Sequence, residues 1–275
     1  MELQGAVTVV TGGASGIGAA LCRRFAAEGA RAVVVVDLDL EGARQVASRT
    51  ATDHPGAAMA AEQLDVTDGP ATSALVDRLV AEHGAIDLFC ANAGIATGTG
   101  VEAPVAVWQR AWDVNVMGHV HAARALLPHW LARGQGHLVT TASAAGLLTM
   151  VGDAPYTATK HAAVGLAEWL SITYGDRGVT VSCLCPQGVR TPMLFGTGDG
   201  TASPDEGASL AAETVKAQGV LEPDDVADAV VAAVRSGQFL ILPHPEVAGY
   251  EAARATQRER WLAGMRRLAA RVAGR

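Results

Sequence analysis

The chain has 275 residues, of which 49% are hydrophobic and 4% aromatic, and its formal net charge is −7. That size and apolar content suit a single α/β domain with a large core, and the acidic balance excludes a general nucleic-acid binder, which needs a basic footprint for phosphates. The charge is uneven: residues 251–275 hold seven arginines and two glutamates, net +5, against −12 for the remainder, a pattern read as a solvated helix face in preference to a surface for an anionic partner.

The amino terminus leads into the strand-like run AVTVVT at 6–11 with no basic segment, long apolar stretch or cleavage site before it. No export signal is therefore expected, and the cytoplasm is the expected compartment. That strand runs straight into Thr11-Gly-Gly-Ala-Ser-Gly-Ile-Gly18 and a helix-like segment ending near Gly29. Gly12, Gly16 and Gly18, with Ser15 and Ile17 between them, let the backbone turn tightly at a helix amino terminus. Its N–H groups and dipole there favour a pyrophosphate. The next run, RAVVVVD at 31–37, ends in Asp37. A carboxylate at that position accepts hydrogen bonds from ribose hydroxyls and repels a 2′-phosphate, and neither Ser15 nor Leu38 offers a counter-charge, so NAD is expected in preference to NADP. An Asp opening a turn is the plainer reading of that residue. The longest β-branched run, Val33 to Val36, is far below the roughly 20 residues that span a bilayer, and no membrane association is expected.

A weaker strand is expected near 58–64, then IDLFCA at 86–91, HLVTTA at 137–142, VTVSCLC at 179–185 and FLILP at 239–243. Short apolar runs alternating with helix-period segments predict a doubly wound parallel sheet of about seven strands with helices on both faces. Cys22, Cys90, Cys183 and Cys185 sit in apolar surroundings and read as reduced core residues. His119 and His121 point to different sides of a helix, and no metal site is expected. Residues 196–209, rich in Gly, Ser, Thr and Asp, predict a mobile loop and a candidate lid. The domain is expected to end near 245. Residues 246–275 then form a helical extension whose stripe of Trp261, Met265, Leu268 and Val272 docks on its own core or on a neighbouring subunit.

Tyr156 and Lys160 are the most informative pair, because the sequence holds only three tyrosines and two lysines. A helix sets residues i and i+4 one turn apart on one face. An ammonium beside a phenol lowers the phenol pKa from its reference value near ~10 and makes it a usable acid or base.

In order and spacing these motifs closely resemble the classical short-chain dehydrogenase/reductase family, over nearly the whole chain up to about residue 245. Thr11 to Gly18 resembles the family's TGxxxGxG turn, Asp65-Val66 its adenine-pocket pair and Asn92-Ala93-Gly94 its NAG motif, while Asn115, Ser143, Tyr156 and Lys160 match its catalytic tetrad. The resemblance implies a Rossmann-like fold, NAD as cofactor and reversible hydride transfer between a secondary alcohol and a ketone. Tyr156 moves the proton, Ser143 holds the substrate oxygen and Lys160 also holds the nicotinamide ribose. Asn115 positions a water that passes the proton on, against the plainer reading of a buried Asn satisfying a carbonyl. Where the family has Pro-Gly-x-Val-x-Thr, this chain has Pro186-Gln187-Gly188-Val189-Arg190-Thr191. Pro186, Val189 and Thr191 align as cofactor contacts, and Gln187 is expected in the substrate pocket with Ser143, Met150, Met193 and Leu194. Arg190 is read as a surface residue. The apolar lining favours a hydrophobic small-molecule alcohol or ketone. The family resemblance further implies a homotetramer or homodimer built on segments 104–132 and 155–175. The alternatives are an NAD-using epimerase or dehydratase, disfavoured by the three-residue gap between Gly12 and Gly16, and a non-catalytic NAD-binding sensor or scaffold.

Overall fold

A computed structural model of the chain describes residues 1–195 and 219–272. Seven strands form one parallel sheet: β1 (Val7–Thr11), β2 (Ala32–Asp37), β3 (Ala58–Gln63), β4 (Leu88–Ala91), β5 (Gly136–Thr141), β6 (Val179–Leu184) and β7 (Leu240–Ile241), in the order β3-β2-β1-β4-β5-β6-β7. Strands β1, β2, β4 and β5 are almost wholly buried. Their unbroken Val, Leu and Phe runs follow from a sheet covered on both faces, where alternation has no use. Edge strand β3 is only partly covered and reads AMAAEQ, which accounts for its weak sequence signal. Edge strand β7 has two residues where five were expected, because Pro243 has no N–H to extend a ladder.

Eleven α-helices are described: α1 (Gly16–Ala27), α2 (Leu40–Asp53), α3 (Gly69–His83), α4 (Val105–Trp112), α5 (Gly118–Arg133), α6 (Ala144–Leu147), α7 (Ala154–Tyr174), α8 (Pro192–Phe195), α9 (Pro223–Ser236), α10 (Glu246–Thr256) and α11 (Arg258–Val272). One face of the sheet buries Leu75, Leu79, Leu126, Trp130, Ala163 and Leu170 from α3, α5 and α7. The other buries Leu21, Phe25, Ala43, Val226 and Val230 from α1, α2 and α9. All four cysteines are free and buried. The loop expected over 196–209 lies outside the described residues. Val247 anchors α10 in the core, and α11 packs against α10 with Trp261, Met265 and Leu268 half-buried.

The strand order reverses between β1 and β4. The crevice at the carboxyl ends of these two strands is the place where such sheets take ligands.

Candidate active site

The glycine turn leaves the end of β1 and enters α1 directly. A Cβ on Gly18 would lie 2.0 Å from the Gly12 carbonyl oxygen, and one on Gly16, whose φ is +50°, would lie 2.9 Å from Thr191 Cγ2. Only glycine fits either place, so the turn is held tight and brought against the segment after β6. Asp37 Oδ2 accepts from Ala14 N at 2.9 Å, which sets the carboxylate on the rim of the turn. Asp65 Oδ1 accepts from Thr67 N and Thr67 Oγ1 at the end of β3, and Val66 packs against Gly118. The Asn92 side chain is used internally: Nδ2 donates to Thr11 O at 3.0 Å and Oδ1 accepts from Thr141 Oγ1 at 3.1 Å, which ties together the ends of β1, β4 and β5. A Cβ on Gly94 would meet both Asn115 Oδ1 at 3.2 Å and Lys160 Nζ at 3.3 Å. The Asn92-Ala93-Gly94 run therefore joins the glycine turn to the Tyr156–Lys160 pair.

Tyr156 and Lys160 are both buried on the inner side of α7, with Lys160 Nζ 5.5 Å from the Tyr156 ring centroid. Nζ donates to Thr141 O at 2.9 Å. Ser143 caps α6, accepting from Ala145 N at 3.1 Å, and it hydrogen-bonds the Tyr156 side chain in the sense that favours phenolate. In the chain by itself the net shift of the Tyr156 pKa is upward, because burial outweighs the lowering contributions. Burial pushes the phenol up to about 12, opposed by Ser143 and reinforced by the Asp153 carboxylate. The ammonium lies over the ring and donates to Thr141 O, and burial, which disfavours the charged phenolate, is the largest cause of the upward shift. Burial likewise pulls Lys160 down to about 8.

Asn115 lies in a π-helical turn, Asp113–Met117, set between α4 and α5. The wider turn there swings Asn115 fully inward and leaves the neighbouring Trp112 42% exposed. Asn115 Oδ1 accepts from Ile95 N at 2.8 Å, while Nδ2 donates to Ile95 O at 2.9 Å and to Thr159 Oγ1 at 3.1 Å. Its side chain thus clamps the loop after β4 to α7, as the plainer reading held.

Asp153, which sequence reasoning missed, is the other clamp. Its Oδ1 accepts from Tyr156 N at 3.0 Å and Thr97 Oγ1 at 2.6 Å, and its Oδ2 accepts from Thr97 N and Gly98 N, both at 2.7 Å. Ala154 N donates to Thr99 O at 2.9 Å beside it. The available signal was an Asp three residues before Tyr156 with Pro155 between, the pattern of a helix N-cap.

After β6, Pro186 and Val189 are buried and Gln187 is half-buried, its backbone N donating to His244 Nδ1 at 3.2 Å. Met150 exchanges hydrogen bonds with Thr157 Oγ1. Leu194 is half-buried and Met193 is 52% exposed on α8. Arg190 is paired with Glu222 at 2.6 Å on the surface. His119 is buried, and burial, then Lys160, pulls its pKa to about 3 against an opposing contribution from the Ala91 backbone; His121 is half-buried on another side of the helix.

Residues 6–200 match the family model described as short chain dehydrogenase. The chain is 40% identical over 219 residues to a 1-deoxy-11-beta-hydroxypentalenate dehydrogenase of Streptomyces avermitilis, covering 76% of this chain and 80% of that one. It is 35% identical over 226 residues to a cis-4-hydroxycyclohexanecarboxylate dehydrogenase of Sinomonas cyclohexanicum, covering 82% and 87%. The solved structure of a short chain dehydrogenase/reductase from Burkholderia phymatum in complex with NAD matches with a TM-score of 0.84 at 30% identity, covering 94% and 96%.

Proposed function

The chain belongs to the short-chain dehydrogenase/reductase family and is an NAD(P)-dependent dehydrogenase acting on CH–OH groups; on that premise we propose that it interconverts a secondary alcohol and a ketone on an apolar frame, with NAD as the partner. The observation that carries this reading is the buried Tyr156–Lys160 pair, with Ser143 on one side and Gly94 on the other.

The dinucleotide fits the residues present. Gly12, Gly16 and Gly18 with Ser15 and Ile17 would hold the pyrophosphate, and Asp37 the adenosine ribose. Asp65, Val66 and Ala93 would border the adenine, and Pro186, Val189 and Thr191 the nicotinamide. Bound in its oxidised form, the cofactor supplies the hydride acceptor and a positive charge. Ser143 would then hold the substrate oxygen by hydrogen bond while Tyr156 takes the hydroxyl proton as the C–H bond breaks. In reduction Tyr156 returns that proton to the carbonyl oxygen. Lys160, cationic below about pH 8, keeps an ammonium beside the phenol. Burial holds the Tyr156 pKa up in the chain alone, so positive charge beside the phenol favours its work as a base.

Asp37 supports NAD over NADP, because a 2′-phosphate on the rim would face its carboxylate. Met150 and Leu194, both half-buried, support an apolar substrate. The names of the two relatives describe hydroxylated carboxylates on hydrocarbon frames, in agreement with that class. Exposed Trp169 and Ile172 on α7 support assembly as a homodimer or homotetramer through that helix, and no helix among the described residues is long and apolar enough to cross a membrane.

The test is a panel of alicyclic and aliphatic secondary alcohols, run with NAD and NADP in parallel and followed by the absorbance of reduced nicotinamide. Turnover with NAD on apolar alcohols is expected. Tight NAD binding with no turnover across the panel would point instead to a sensor.

A further inference from the structure

The run after β6 is tied to the run after β7 by a side chain, at a place where a parallel ladder would use a backbone carbonyl. Cys183 N donates to Phe239 O and Cys185 N to Ile241 O, so two residues further on the even spacing of the ladder would bring Gln187 N to Pro243 O. Gln187 N donates instead to His244 Nδ1 at 3.2 Å. The side chain reaches farther than a carbonyl, so the two runs part at the crevice and the N–H keeps a partner. His244 is held firmly for this task. It is 4% exposed, Pro243 and Pro245 flank it, and its own carbonyl accepts from Val247 N at 3.1 Å at the start of α10. Each proline fixes its own φ and Pro245 also confines His244, which limits the backbone here. Because Gln187 N–H is the donor, Nδ1 carries no proton. Burial pulls the ring pKa below the ordinary histidine value, against Glu246 and the Gly188 backbone, and the ring is neutral near pH 7.

The peptide that His244 grips also meets Ser143. Pro186 O and the Gln187 N–H belong to one planar unit. Pro186 O accepts from Ala144 N at 2.8 Å and from Ser143 Oγ at 3.4 Å, while the N–H end goes to His244. A flat unit held at both ends cannot rotate without breaking a hold. Beyond it Leu221 takes over, its N donating to Gly188 O and its O accepting from Arg190 N, both at 2.9 Å. The run then reaches Thr191, whose side chain lies against Gly16. His244 thus fixes the start of the 186–191 run, Leu221 its middle and the glycine turn its end.

We propose that His244 is a positioning residue for the nicotinamide end of the cofactor, acting through the Pro186–Gln187 peptide on the run that carries Val189 and Thr191. The inference rests on the reading above that this run borders the nicotinamide. Without the Nδ1 acceptor the Gln187 N–H loses this partner, and the peptide is free to turn and draw Pro186 O away from Ala144 N. The adenosine end is spared, because Asp37 and the glycine turn lie at β2 and β1, in the other half of the sheet from β7.

The experiment measures by calorimetry the dissociation constants of reduced NAD and of ADP-ribose in wild type, His244→Leu and His244→Asn. ADP-ribose lacks the nicotinamide, so the ratio of the two constants isolates that end. Wild type should bind reduced NAD more tightly than ADP-ribose. His244→Leu should cut that preference about tenfold through reduced NAD alone, with ADP-ribose within about twofold of wild type. Asparagine carries an amide oxygen on Cγ, where histidine carries Nδ1, so His244→Asn should keep the preference within about threefold. An unchanged preference in His244→Leu, equal weakening of both ligands, or a loss in His244→Asn as large as in His244→Leu would overturn the proposal and leave the dehydrogenase reading intact. Equal binding of the two ligands by wild type would overturn the nicotinamide placement, and the proposal with it. Where the melting temperature shows that the leucine variant does not fold, His244→Gln replaces it, since its amide lies one bond farther from Cα than Nδ1, and the same results decide.

Discussion

Replacing Asp153 with Asn changes almost no volume and tests the clamp on the catalytic helix. The asparagine carbonyl can still accept from Tyr156 N and Thr97 Oγ1, but its NH2 group then faces Thr97 N and Gly98 N, which now donate to Oδ2 at 2.7 Å each. Two backbone donors would be left without acceptors, at about 1–3 kcal/mol each, so a loss of roughly 2–6 kcal/mol of unfolding free energy is expected in urea. Turnover should fall with it, because the loop carrying Thr97 and Thr99 is released from α7. The same variant removes a negative charge that holds the Tyr156 pKa up. The limb of the kcat/KM pH profile set by Tyr156 should therefore move to lower pH, which a purely structural lesion would not do. Unfolding free energy within about 0.5 kcal/mol of wild type, together with an unmoved limb, would refute the clamp.

Asp37→Ser should lower the NAD-to-NADP ratio of kcat/KM by about tenfold or more, since the carboxylate that repels a 2′-phosphate is gone; an unchanged ratio would remove Asp37 from cofactor choice. His119 is expected to make the protein acid-labile. Its folded pKa of about 3 lies below the unfolded reference of 6.5, so the unfolded state binds the proton first. Stability from the neutral ring is full above pH 6.5 and is lost as pH falls toward 3, by up to several kcal/mol. His119→Leu should flatten the fall in unfolding free energy between pH 7 and 4, leaving the smaller contribution of His137, pulled to about 4 by burial. An unchanged slope would mean that the His119 ring gains a proton without cost.

The central strands, the glycine turn and the Tyr156–Lys160 pair were legible in the sequence because each is encoded locally. Buried parallel strands must be continuous apolar runs, a pyrophosphate turn must be glycine-rich, and one helix turn fixes a pair four apart. What stayed hidden depends on residues far apart in sequence. Asp153 reaches Thr97, 56 residues away, and His244 reaches Gln187, 57 residues away. The π-turn at Asn115 has no composition of its own, and the direction of the Tyr156 shift depends on burial that spacing alone does not report. The part that Asn92, the first residue of the NAG motif, plays in joining strands through its side chain was likewise hidden, because its partners Thr11 and Thr141 are 81 and 49 residues away.

Tyr156→Phe tests the central claim most directly, measured as single-turnover hydride transfer to NAD beside NAD affinity. The phenyl ring keeps the packing and the Lys160 contact while removing the hydroxyl proposed to take the substrate proton. About a thousandfold loss of hydride transfer with NAD affinity within a few-fold of wild type is expected. Transfer within tenfold of wild type would show that the proton leaves by another group.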